Sequence, residues 1–201
     1  MPLDRNGAQD HFWGNIGSLR LEHSAANPLS TDISTAQTIL RMSHLARSQA
    51  FSAPINEAVN AATASLPDGA SDRAIAEAIF WWVKANVKFE EDEQVMFEHL
   101  GVPADELDKE LLISPVALLQ MPQPTGDCDD FSMLMAAMLL NMRMKVWFVT
   151  IACDEEIPGK FSHVFVATVD EYGRKIYLDA SHGPFPGWRR KQVYREKEWI
   201  V

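Results

Sequence analysis

Apolar positions recur at helical spacing through the first two thirds of the chain and at strand spacing through the last third. Ile39, Leu40, Met42, Leu45 and Ala46 follow the i, i+3, i+4 rhythm of a helix face, behind the capping types Ser30, Thr31 and Asp32. Pro54 opens a second helical stretch, INEAVNAATASL, which Pro67-Asp68-Gly69 ends. Ser71 or Asp72 caps a third, with Ile75, Ile79, Trp82 and Val83 on one face. Residues 98–113 read as loop with a short acidic helix. Pro115 suits the first turn of SPVALLQM. After Pro122 and Pro124, the run CDDFSMLMAAMLLNM reads as a mostly apolar helix.

Three β-like runs follow, over Val146–Ala152, 162–169 and Lys175–Leu178, with a short fourth strand at 198–201. Helices come first, and the strands are joined by turns rather than crossovers. That order implies an α+β fold, with N-terminal helices packed on an antiparallel β-sheet. Residues 1–30 show little period and contain Gly7, Gly14, Gly17 and Pro28. They read as an N-terminal arm or extension to a single domain over 31–201.

Composition narrows the functional classes. Hydrophobic residues make up 47% of 201 positions and charged ones 23%, which suits a chain that buries a sizeable core. The net charge is −10 and the only basic run is the short one at 189–191, so nucleic acid is excluded as a partner. No apolar run approaches the roughly 20 residues that cross a bilayer, so no membrane partner is expected. The opening residues include Asp4 and Asp10 without an apolar h-region, so a cytoplasmic location is expected. Two cysteines, Cys128 and Cys153, are too few for a disulfide framework and read as free thiols.

Cys128 is the residue with the most chemistry in it. Gly126 eases the approach to the helix, Asp127 is a suitable N-cap, and Cys128 then falls in the first turn. Backbone N–H groups there lack intrahelical partners and face the positive end of the helix dipole. That environment stabilises a thiolate, and the same N–H groups could hold an oxyanion. Asp127, Asp129 and Asp130 oppose the thiolate, so the mechanism requires a cationic partner. Cys153 ends an apolar strand without a Gly-Asp lead and reads as a packing residue.

His163 is the expected partner. It shares a strand face with Phe165, Ala167 and Val169 and must satisfy two ring nitrogens in apolar surroundings. The turn Asp170-Glu171-Tyr172-Gly173 predicts a hairpin in which Asp170 faces Arg174 and Asp179 faces Phe165. His163 and Asp179 become diagonal neighbours, roughly 7–8 Å apart at Cα. A one-residue slip would carry Asp179 to the other face. An aspartate on one ring nitrogen fixes the tautomer and leaves the other for a thiol.

Together the strings GDCDD (126–130), FSHVF (161–165) and YLDA (177–180) resemble the transglutaminase-like superfamily. The stretches AIFWWVKANVKFEED (78–92) and SPVALLQ (114–120) look like segments that precede the cysteine in its bacterial and prophage members. The resemblance implies a papain-like fold and acyl transfer from an amide of a protein or peptide. Under it Cys128 is the nucleophile, His163 the base and then the acid, and Asp179 the orienting residue. It implies a side-chain donor to the oxyanion, with Gln120, Gln123 and Trp82 as candidates. Asp127, Asp129, His182 and Trp188 are candidates to line the cleft.

Hydrolysis is the expected outcome, since water is everywhere and nothing specifies an amine site. The alternatives are a protein-glutamine amine transferase and a catalytically silent module, such as a phage-associated protein. The second would place the chain in a virion. No cofactor is expected. An EF-hand counted from Asp127 fails, because Ser132 and Met138 stand where Gly and Glu are needed. Cys128, Cys153, His163 and His182 lack the paired spacings of a structural zinc site, so no metal is expected.

Overall fold

The computed structural model describes residues 11–16, 19–25, 31–91 and 109–201. Five helices and nine strands occupy them, and helices precede the main sheet as the patterning predicts. Helix α1 (Thr31–Gln49) and helix α2 (Ala53–Thr63) come first, α2 with proline in its opening turn. Helix α3 (Asp72–Asn86) starts at Ser71, whose hydroxyl accepts the Ala74 N–H at 3.2 Å. Helix α4 (Pro115–Gln120) repeats that device with Ser114 and places proline where no amide hydrogen is needed.

Helix α5 (Cys128–Asn141) is the centre of the molecule. Every residue from Asp129 to Leu139 is buried, so the helix shows no polar face and belongs in the interior. It packs against α1, α2, α3, α4 and two central strands. Each large apolar side chain removed from water there contributes roughly 1.5–3 kcal/mol. The core it anchors runs from Ile39 and Met42 on α1, through Ile79 and Phe80 on α3, to Val164, Val166 and Leu178 on the sheet.

The main sheet is antiparallel. Its strands are β6 (Val146–Ala152), β7 (His163–Val169), β8 (Lys175–Leu178) and β9 (Arg195–Ile200), in the order β8-β7-β6-β9. The β7–β8 register is Val169 with Lys175 and Val166 with Leu178, which is the hairpin that the Asp170–Gly173 turn predicts. Gly173 supplies the left-handed backbone, at φ +77°, that this turn needs. The opposite face of the sheet carries a smaller cluster of Val149, Ile151, Phe165 and Ala167.

Two small sheets complete the described residues. Strands β3 (Lys88–Phe89) and β5 (Thr125–Gly126) pair in parallel. Strands β1 (His11–Ile16), β2 (Leu19–Ala25) and β4 (Lys109–Leu112) form an antiparallel sheet. The reading of loop and short helix over 98–113 is corrected at its end, where main-chain pairing with β2 makes 109–112 a strand. The rest of that reading lies outside the described residues. Trp81 is 49% exposed on the outer side of α3. No helix among the described residues is long and apolar enough to cross a membrane.

Candidate active site

The first turn of α5 is held by its acidic residues. Asp127 caps the helix, accepting the Asp129 N–H at 2.9 Å, and Asp130 Oδ2 in turn accepts the Asp127 N–H at 3.3 Å. Together they make a capping box built from two aspartates. Asp130 is fully buried, and its other oxygen accepts the Ile113 N–H at 2.7 Å. The Gly-Asp lead therefore has a steric cause: a Cβ on residue 126 would lie 2.3 Å from Asp130 Oδ2. Cys128 follows as the first helical residue, half-buried, with its Sγ 3.6 Å from Asp129 Oδ1.

The second part of the site is at the start of β7. His163 Nε2 lies 2.9 Å from Asp179 Oδ2, and both side chains are 4% exposed. An ionised aspartate can only accept, so Nε2 carries a proton, and in the neutral imidazole Nδ1 is the nitrogen with the lone pair. Asp179 is held on its other oxygen by the Ser181 hydroxyl at 2.9 Å and the His182 N–H at 3.0 Å. Burial alone would raise the Asp179 pKa. The hydrogen bond and charge of His163, with those two donors, reverse this and hold the carboxyl below the usual range.

Two links bring these parts together. The Ser132 hydroxyl, one turn beyond Cys128, donates to the Val164 carbonyl at 3.2 Å, fastening α5 to the start of β7. Aromatic rings form the other link. Phe131 lies 6.3 Å from Phe89, Phe89 lies 4.9 Å from His182, and His182 lies 4.7 Å from His163, all between ring centroids. Strand β3 carries Phe89, and the Glu90 N–H donates to the Gly126 carbonyl at 3.0 Å. Lys84, at the end of α3, donates to the Ala180 carbonyl at 3.2 Å. The α3–β3 segment thus bridges the cysteine side and the aspartate side.

The other expected residues are placed as follows. His182 is an exposed loop residue set edge-on to His163, with Nδ1 3.0 Å from the Ser181 hydroxyl. Partial desolvation of its ring, and then the charge of a protonated His163, lower its pKa. Trp188 packs behind the Asp179 loop, where a Cβ on Gly183 would meet its ring at 3.3 Å and the Asp179 carbonyl at 2.6 Å. Gln120 ends α4 and is exposed, and Gln123 is exposed in the turn before β5. Trp82 is half-buried against the main core. The structure thus gathers Cys128, Asp127 and Asp129 on the first turn of α5, and His163, Asp179 and His182 at the start of β7 and the loop after β8. The three oxyanion candidates have no described contact with either group.

Two residues of this region escaped the sequence reading. Phe89 lies within the 78–92 stretch but has no catalytic chemistry of its own. Ser181 follows Asp179 by two positions, a spacing at which a hydroxyl commonly returns to a carboxylate. As for metals, two groups have ligand atoms within 4.8 Å of one another: His163 with Asp179 and His182, and Asp127 with Cys128 and Asp129.

Comparison with known families gives one finding. A family model described as a transglutaminase-like domain matches residues 57–182, more than half of the chain. That span contains Cys128, His163 and Asp179. No curated protein matches.

Proposed function

This chain belongs to the transglutaminase-like family, and from that premise we propose that it is a cysteine hydrolase acting on amide bonds of proteins or peptides. Cys128 gives its proton to Nδ1 of His163, and the thiolate attacks the amide carbonyl. N–H groups of the first turn of α5 hold the oxyanion. His163 passes its proton to the departing amine, leaving a thioester on Cys128. A water then gives a proton to His163 and attacks the thioester. The acid leaves and the thiol is restored. Asp179 keeps Nε2 protonated throughout, so Nδ1 is always the nitrogen that works.

One observation carries this reading: a buried His163–Asp179 hydrogen bond of 2.9 Å that engages Nε2 and not Nδ1. A histidine that served only to fill the core would be expected to satisfy both nitrogens internally. The position of Cys128 at the first residue of α5 supports the nucleophile assignment. The experiment is to incubate the protein with glutamine-containing peptides, with and without a labelled primary amine, and follow products by mass. Hydrolysed peptide or released ammonia, lost in Cys128→Ser, is expected. Incorporation of the amine in preference to water would convert the assignment to an amine transferase.

A further inference from the structure

We propose that His163, Asp179 and His182 form an inhibitory zinc site, in which the metal takes the place of the proton shared between His163 and Asp179. Three neutral or anionic ligand atoms, two imidazole nitrogens and one carboxylate oxygen, lie within 4.8 Å of one another. That donor set suits a borderline cation such as zinc, with a fourth position left to solvent. Zinc bonds to nitrogen and oxygen are about 2.0–2.1 Å, so neighbouring ligands on a tetrahedral ion sit about 3.4 Å apart. The His163–Asp179 separation is 2.9 Å and needs to open by about half an ångström. His182 is on an exposed loop, which gives the ion a way in.

The surroundings fit the same purpose. Metal-bound histidines usually have the second ring nitrogen hydrogen-bonded, which fixes the tautomer. His182 meets this, because its Nδ1 is 3.0 Å from the Ser181 hydroxyl and Nε2 remains for a metal. Asp179 keeps Oδ1 on Ser181 and the His182 N–H, so Oδ2 alone is needed for the ion. When zinc binds Nε2 of His163, the imidazole proton moves to Nδ1 and none is released. Nδ1 then has no lone pair with which to accept the Cys128 proton. Zinc binding is independent of the proposed function; the inhibition rests on it.

The test is calorimetric titration of the metal-stripped full chain with zinc chloride, paired with the rate of iodoacetamide labelling of Cys128 at each zinc concentration. One zinc per chain is expected, with affinity at least tenfold lower in His182→Ala and retained in Cys128→Ser. Circular dichroism checks that both variants fold. Zinc binding that is unchanged in His182→Ala would overturn the site, and binding lost in Cys128→Ser would overturn it and assign the ion to the Asp127–Cys128–Asp129 group. No zinc binding would overturn it too, with the amidase reading untouched. Binding that needs His182 yet leaves the Cys128 labelling rate unchanged would confirm the site, overturn inhibition and count against His163 as the base.

Discussion

His163 Nε2 and Asp179 Oδ2 are 2.9 Å apart, and each side chain is 4% exposed. Replacing Asp179 with Asn keeps the shape but removes the anion that holds the proton on Nε2. Amide hydrolysis is expected to fall by about three to four orders of magnitude in kcat, with a much smaller change in KM. Steady-state kinetics on any peptide that the wild type cleaves checks this. A loss under tenfold would remove Asp179 from the mechanism.

Gly126 is required by the Asp130 carboxylate. In Gly126→Ala the new Cβ would lie 2.3 Å from Asp130 Oδ2 and 2.8 Å from its Cβ. Asp130 must then move, which weakens its 2.7 Å hydrogen bond to the Ile113 N–H and the capping box. Urea denaturation should show a loss of about 1–3 kcal/mol. A change within about 0.5 kcal/mol of zero, the range of an ordinary surface substitution, would contradict the steric account.

Ser132→Ala tests the fastening of α5 to β7. The buried hydroxyl donates to the Val164 carbonyl at 3.2 Å, beside His163. Its removal is expected to cost about 1 kcal/mol of stability. It should also slow hydrolysis, since the cysteine and histidine elements lose a shared anchor. Normal kinetics together with the stability loss would show that the anchor matters to the fold alone.

Acid sensitivity should be traceable to the hairpin. Burial raises the Asp170 pKa, but N–H groups of Arg174 and Tyr172 and the Arg174 guanidinium outweigh it and lower the net value below 3.8. Arg73 adds a contact at 3.5 Å. Because the folded pKa is depressed, the unfolded chain binds the proton first as pH falls. The stabilisation is therefore complete above the ordinary carboxylate range and lost as pH drops from about 3.8 through the folded value. Asp170→Asn should flatten the stability profile over that window. An unchanged acid limb would contradict the assignment.

Much of this site was legible because its determinants are local. The Asp170–Gly173 turn sets the β7–β8 register, and the register puts Asp179 within reach of His163. Proline and glycine around 122–126 mark the start of α5 and so the place of Cys128. What escaped the sequence depends on distant partners. Lys109–Leu112 becomes a strand because β2 pairs with it from far away in the chain. Strand β9 starts at Arg195, earlier than its apolar residues suggest, because charged side chains occupy its exposed positions. The need for glycine at 126 likewise depends on how the Asp130 carboxylate folds back under the helix, which no periodicity shows.

The central claim is that Cys128 is an activated thiol because of its helix position and His163. The most direct measurement is the rate of iodoacetamide labelling of each cysteine, resolved by peptide mass, between pH 5 and 8. Cys128 should react well ahead of Cys153 at mildly acidic pH, and His163→Ala should bring it back to the rate of an ordinary thiol. Equal rates for Cys128 and Cys153 in the wild type would contradict the account.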